Sequence, residues 1–270
     1  MSREQFIRVD GLNVRYFALG EGAPVLLLHG ASLGSSADVW ASNLPALAAR
    51  GFRAVAFDQP GFGASDNPAD ASLGYRRSFV PAFMDVLGIA RAALIGHSQS
   101  GRIAVDLAFS HAGRVAAVVV LGTGSLLPPL PGSEAAGEGE EGGASEPTLE
   151  ETRAALEATL FHVELATPEA VELRHRMSLG KNFLAFRARK AAGRGKGAGG
   201  SVPLWQRVHE SPVPLLMLYG REDRGDAAQR AARLHSGIEV HVLPQCKHLV
   251  QWDAAERFVD LTARFLASSG

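Results

Sequence analysis

Short, wholly apolar runs recur along this chain with room for one helix between each pair, and that rhythm limits the fold more than any other feature. Residues 25–28, 54–57, 93–95 and 115–121 carry no polar side chain, as strands covered on both faces must. Between them, Trp40, Leu44, Leu47 and Ala48, then Phe79, Phe83, Val86 and Leu87, then residues 103–109, repeat at helical spacing. Such alternation specifies a parallel sheet with helices on both faces. Upstream, residues 6–9 and 14–17 flank Asp10-Gly11, a hairpin or tight-turn signal. Downstream, residues 215–219 and 239–242 read as strands, 227–234 as a helix, and Phe258, Leu261, Phe265 and Leu266 mark a last helix. The expected fold class is α/β, a mostly parallel, doubly wound sheet.

The rhythm stops at Gly122 and resumes at Val213. Residues 128–147 include Gly-Ser-Glu-Ala-Ala-Gly-Glu-Gly-Glu-Glu-Gly-Gly, a flexible acidic linker by composition. Residues 148–179 read as two helices, the second announced by Thr167 as N-cap and Pro168 in the first helical position. Residues 193–200 form a second glycine-rich stretch. The simplest organisation is a core domain of residues 1–127 and 206–270, interrupted by a helical lid, 128–205, with flexible segments. A chain of 270 residues accommodates one such domain with its insertion.

Charge and composition exclude several functions. Lys and Arg total 27 against 28 Asp and Glu, so no basic excess exists to hold a nucleic acid. The run 115–121 falls far short of the ~20 apolar residues that cross a membrane. Residues 1–5 lack a signal-peptide core, and a lone cysteine, Cys246, forms no internal disulfide; together these predict a cytoplasmic protein. Cys246 reads as a packed side chain rather than a nucleophile. Nine histidines without ligand spacing argue against a metal. The Gly-x-Gly-x-x-Gly of residues 195–200 follows no strand, which argues against a dinucleotide. The expected partner is a small-molecule substrate, with no cofactor. Arg187, Arg189, Lys190, Arg194 and Lys196 read as a solvated face or as balance for the acidic linker. Phe161, Phe183, Phe186 and Trp205 read as pocket lining under the lid or as lid core.

Gly96-His97-Ser98-Gln99-Ser100-Gly101 joins a strand to a helix. A serine on so sharp a turn is lifted above the sheet edge, and close backbone approach requires small residues two before and two after it. Gly96 and Ser100 meet that need for Ser98; with Ser100 as nucleophile, Arg102 would occupy a small position. A serine hydroxyl needs a base, and the base an orienting acid. Asp223, with Glu222 as rival, follows the strand 215–218, and His248 follows 239–242. Serine, acid and histidine then stand in that order at one edge of the sheet, where open α/β sheets bind ligands. The oxyanion formed on attack needs two N–H donors. Gln99 supplies one and Ala31, less favourably Ser32, the second.

These features, with Leu28-His29-Gly30 and Asp58-Gln59-Pro60-Gly61-Phe62-Gly63-Ala64-Ser65, resemble the α/β-hydrolase superfamily over nearly the whole chain. Within it, Cys246-Lys247-His248-Leu249-Val250-Gln251-Trp252-Asp253 is similar to the Cys-Gly-His-Trp-Ala-Gln-Trp-Glu signature of hydrolases that cleave carbon–carbon bonds in meta-cleavage products of aromatic degradation. The resemblance implies a Ser98–Asp223–His248 triad and hydrolysis of a carbon–carbon bond next to a ketone. It further implies a lid arginine for a substrate carboxylate, Arg174 or by a small shift Arg176, and substrate contacts at Asn43 and Leu249, to which the pocket-lining reading adds Phe161. It admits a homodimer, although no residue points to one. Departures are His97 for the usual Asn, Leu249 for the usual Trp, Ser100 for the usual Gly, and a longer loop over residues 31–39. The same machinery serves a carboxylesterase or lactonase, and the same fold serves a non-catalytic ligand-binding protein.

Overall fold

A computed structural model describes residues 3–130, 145–193 and 202–269; most of the acidic linker and of the second glycine-rich stretch lies outside them. Its strands are β1 (Gln5–Val9), β2 (Leu12–Leu19), β3 (Ala23–Leu28), β4 (Phe52–Phe57), β5 (Ala92–His97), β6 (Val115–Leu121), β7 (Leu215–Gly220) and β8 (Glu239–Leu243). They form one sheet in the order β1-β2-β4-β3-β5-β6-β7-β8. The β1–β2 and β2–β4 pairs are antiparallel and the remainder parallel. Asp10 and Gly11 both take positive φ in the β1–β2 turn, the backbone that a two-residue hairpin demands.

Strand residues alternate between two cores, as a pleat of period two dictates. Leu26, Leu28, Val55, Phe57, Val118 and Val120 face one side with Phe79, Phe83 and Ile103. Val25, Leu27, Ala54, Ala56, Val119 and Leu121 face the other with Trp40, Leu44 and Phe258. The covering helices are α1 (Asn43–Ala49), α2 (Leu73–Val86), α3 (Gln99–Ser110) and, further on, α8 (Arg221–Leu234), α9 (Val250–Asp253) and α10 (Ala255–Ser268). The helical spacing around Trp40 divides into a 3-10 turn, Ala37–Trp40, and α1. Helix α8 starts directly after β7, six residues earlier than its apolar pattern suggests, with a kink at Arg224.

Between β6 and β7 the insertion contributes α4 (Leu149–Ala158), α5 (Pro168–Arg176), α6 (Lys181–Gly193) and the short α7 (Leu204–Arg207). Thr148 and Glu151 close a capping box at the start of α4, and Thr167 caps α5 ahead of Pro168. The insertion sits on the loops at the C-terminal edge of the sheet. Asn182 Nδ2 donates to Gly63 O at 2.9 Å, Arg189 Nη1 to Gly61 O at 2.8 Å, and Lys181 Nζ to Ser65 O at 2.6 Å. No helix of the described residues is long and apolar enough to cross a membrane.

The loop after β4 is held by one buried ion pair. Asp58 accepts from Arg15 Nε at 2.6 Å, Ala37 N at 2.6 Å and Ala64 N at 2.8 Å, and a side chain on Gly63 would collide with its carboxylate. Burial works against the Arg15 charge, but Asp58 and Asp38 more than offset it and hold Arg15 above its ordinary range. Arg15 keeps Asp38 and Glu4 if Asp58 is lost, but removing Arg15 strands the buried Asp58 carboxylate, at a cost of about 3–5 kcal/mol. Arg15→Met should therefore lower unfolding stability by that amount in urea titration, and a loss below about 1 kcal/mol would contradict the assignment.

Candidate active site

Register builds the site before any side chain is considered. Leu28 of β3 lies opposite Gly96 of β5, and His97 lies opposite Leu121 of β6. The loop after β3 and the turn after β5 therefore leave the sheet side by side, at the point where the strand order reverses direction. Clefts form at such points in open α/β sheets.

Ser98 has φ 54° and ψ −128°, a strained conformation for a residue with a Cβ. Its N–H donates to Leu121 O at 2.8 Å, and its carbonyl accepts from Thr123 Oγ1 at 2.8 Å and Gly101 N at 3.0 Å. A Cβ on Gly96 would collide with the Ser100 and Gly101 backbone, and one on Gly101 with Thr123 Oγ1. The close approach thus falls on Gly96 and Gly101. Ser100 is fully buried, and its hydroxyl donates to His29 O at 2.6 Å, so it is no rival nucleophile. Gln99 opens α3, and its N–H is among the amides that a helix leaves without an internal partner, at the positive end of the helix dipole.

His248 Nδ1 stands 2.9 Å from Asp223 Oδ2. The carboxylate can only accept, so Nδ1 carries the proton and Nε2 is left as the basic nitrogen. The ring rests on Gly122, where an added Cβ would lie 3.2 Å from Nδ1. Gly122 follows Leu121, which anchors Ser98, so serine and histidine converge on one dipeptide. Gly220 lets the loop approach, since a side chain there would collide with the carbonyls of Cys246 and Lys247. Glu222 faces away from the imidazole and accepts from Cys246 N at 2.9 Å and Gln245 N at 3.3 Å. Burial pushes the Cys246 thiol far up, which leaves it protonated and inert.

His97, whose Nδ1 would lie 3.0 Å from a Cβ added at Gly30, ties the elbow to this loop. Its Nε2–H donates to the carbonyl of His248 at 3.0 Å, and the two rings lie 4.9 Å apart. Burial, and next the His248 charge, keep His97 neutral. His29 is likewise neutral, pushed down to about 3 by burial. Gln59 N–H donates to its Nε2 at 3.0 Å, so Nδ1 holds the proton and donates to Gly30 O at 2.7 Å. This bond shapes residues 29–31, the segment that carries Ala31. Neither histidine's part was legible in the sequence beyond the motif Leu28-His29-Gly30, because both act through contacts between distant segments.

The insertion reaches the same edge. Thr159 O accepts from both His248 N at 3.0 Å and Leu249 N at 3.2 Å. Asp253 accepts from Lys247 N at 2.8 Å and from Phe161 N and His162 N at 3.0 Å. Leu249 packs with Leu156, Leu160, Ala166 and Val171 of the insertion. Arg174 lies against Gly34 of the loop after β3, and its charge adds to the forces that keep His97 neutral. Asn43 is buried and donates to Gln251 O at 3.0 Å. The Phe161 ring is 39% exposed and stacks edge-on with His162.

Residues 23–255 match the family model of the α/β hydrolase fold. The 2-hydroxymuconate semialdehyde hydrolase of Pseudomonas sp. (strain CF600) is 31% identical, over 96% of this chain and 92% of that protein. The 2-hydroxy-6-oxononadienedioate/2-hydroxy-6-oxononatrienedioate hydrolase of Paraburkholderia phymatum is 32% identical, over 94% and 91%. Among solved structures, a meta-cleavage product hydrolase from Pseudomonas fluorescens IP01 superimposes with a TM-score of 0.76 at 25% identity, covering 98% of each chain. The chain belongs to the α/β-hydrolase family and is a hydrolase.

The two neighbouring acids separate cleanly by experiment. Asp223→Asn should lower kcat/KM by about 10³- to 10⁴-fold, since the imidazole loses its orienting acceptor. Glu222→Gln should cost less than about tenfold, because it only loosens a loop clamp. Steady-state kinetics with a nitrophenyl ester give both numbers; the reverse ranking would reassign the acid.

Proposed function

We propose that the protein hydrolyses a carbon–carbon bond next to a ketone in a small, carboxylate-bearing substrate of the meta-cleavage product type. The observation that carries the hydrolytic part is the Asp223–His248 pair at 2.9 Å, seated on the dipeptide that anchors the strained Ser98 turn. The relatives at 31% and 32% identity support the substrate type.

In this reading, His248 Nε2 takes the proton as Ser98, or a water held by its hydroxyl, attacks the ketone carbon. The carbonyl oxygen becomes an oxyanion held by the N–H groups of Ala31 and Gln99, on a helix terminus that favours negative charge. Collapse breaks the carbon–carbon bond. The departing carbon takes the electron pair and receives the proton from the imidazolium, which Asp223 stabilises. If an acyl-serine forms, water completes the cycle with His248 again as base. Net, one water is added across the bond. The helical insertion acts as the lid of the site, and the protein works in the cytoplasm.

Arg174 is the carboxylate ligand of this reading. It is supported by its seat against Gly34, on the loop that also carries Ala31. A charge-assisted bond to a carboxylate is worth ~1.5–3 kcal/mol. Arg174→Ala should therefore lower kcat/KM for a 2-hydroxy-6-oxo-dienoate by about 10- to 150-fold, and leave a short-chain nitrophenyl ester untouched. Absence of dienoate cleavage in the wild type, with brisk ester hydrolysis indifferent to Arg174, would make the protein a carboxylesterase or lactonase. Failure to turn over either compound would favour a ligand-binding protein.

A further inference from the structure

Arg76 in α2 is 2% exposed, and among the described residues its guanidinium is spent on neutral acceptors. Nε and Nη2 donate to Gln59 Oε1 at 3.2 and 2.8 Å, Nη1 to Gln99 Oε1 at 2.6 Å, and Nη2 also to Ser100 Oγ at 3.2 Å. Phe62 lies beneath it, with the ring centroid 4.9 Å from the guanidinium carbon. Burial, and then the charge of Arg189, push it down to about 9, so at neutral pH it remains a cation. A fully buried charge bonded only to neutral groups is costly to keep, which makes the identity of its acceptors informative.

Gln99 and Ser100 are the first two residues of α3, immediately after Ser98. Gln59 follows β4; its Nε2 donates to His29 O at 2.7 Å and to Ser100 Oγ at 3.0 Å, and its backbone N–H donates to His29 Nε2 at 3.0 Å. Ser100 Oγ donates to the same His29 carbonyl, 71 positions away in the chain. One guanidinium thus touches the side chain of Gln99 directly, and reaches the segment carrying Ala31 through Gln59 and Ser100. Ser100 stands where the elbow pattern usually has glycine, and its hydroxyl closes this ring of bonds. Only arginine presents several donors in a fixed planar fork. Lysine, a point charge on a flexible stem, can satisfy some of these acceptors but cannot span them all.

We propose that Arg76 is the positioning residue of the oxyanion hole, bracing the Gln99 and Ala31 peptides at a fixed separation and adding its positive charge behind them. The proposal rests on the assignment of those two N–H groups as oxyanion donors. Donors preorganised in a dry site are worth far more than mobile ones, and losing one outright costs about 10²–10³ in kcat. Loosening the brace should cost less than that, and should weaken binding of the transition state while sparing the ground state.

The test compares Arg76→Met, Arg76→Lys and Gln99→Met with wild type. Gln99 is half-buried, so the last variant removes one bond of the brace without disturbing the core. The readouts are kcat and KM on whichever of the dienoate and nitrophenyl ester the wild type turns over, the Kd of a trifluoromethyl ketone that places an oxyanion in the hole, and the melting temperature. Arg76→Lys and Gln99→Met should lower kcat by about 10- to 100-fold and weaken the trifluoromethyl ketone by the same factor, with KM changed by less than about threefold. Arg76→Met should cost more than Arg76→Lys. A lowered melting temperature with unchanged kcat and ketone affinity would make Arg76 a structural residue and overturn the proposal. If both Arg76 variants fail to fold, full kcat in Gln99→Met overturns it alone. A wild type that turns over neither compound and binds no ketone overturns the functional reading, and the proposal with it.

Discussion

The left-handed backbone at Ser98 is the constraint around which this molecule is organised. A residue with a Cβ at φ 54° costs on the order of 1–3 kcal/mol. Three hydrogen bonds offset that cost: Ser98 N–H to Leu121, and Thr123 Oγ1 and Gly101 N–H to the Ser98 carbonyl. At about 1 kcal/mol each the two sides are comparable, so the turn persists only while its supports remain intact. Those supports determine the composition nearby. Gly96 and Gly101 must lack side chains, Thr123 must carry its hydroxyl, and Tyr219 Oη in turn donates to Thr123 O at 2.9 Å. The result is a serine standing clear of the sheet, with the free N–H of a helix terminus directly behind it.

The second organising principle is that the basic side of the site is fastened to the insertion rather than to the sheet alone. Two acceptors, Thr159 O and the Asp253 carboxylate, hold the backbone on both sides of His248, while Leu249 buries itself among insertion residues. Glu222 secures the loop from the opposite side at Gln245 and Cys246. Movement of the α4 end would therefore be felt at the imidazole. His97, through its bond to the His248 carbonyl, completes the link to the Ser98 turn.

What the sequence disclosed follows from which interactions leave a local trace. Strands β3 to β6 were readable because burial on both faces leaves each an unbroken apolar run, with polar side chains only at Arg53 and His97 near strand ends. The β1–β2 hairpin was readable because Asp10-Gly11 tolerates positive φ. The placement of Ser98, Asp223 and His248 at one sheet edge was readable because each lies in the segment that follows a strand. Helix α6 escapes the helical pattern because its buried apolar residues, Phe183, Ala185 and Phe186, are confined to its first half and are followed by Arg187, Arg189 and Lys190. The first turn of α8 leaves no apolar trace because Arg221, Glu222, Asp223 and Arg224 are all charged, although Asp223 and Glu222 both serve the His248 loop. The network of His29, Gln59, Arg76 and Ser100 was invisible, since its bonds join segments far apart in the chain. Ser100 looked like a tolerated substitution for glycine, whereas its hydroxyl serves three partners. Asn43 and Leu249, named from resemblance, are engaged with Gln251 and with the insertion core.

Under the proposed function, this scaffold makes one hydroxyl, that of Ser98, uniquely nucleophilic. Intact-mass analysis after exposure to a fluorophosphonate tests it most directly. The account predicts a single adduct on the wild type, none on Ser98→Ala in a protein with native circular dichroism, and strongly slowed labelling in His248→Ala. An adduct that persists undiminished in Ser98→Ala would contradict it.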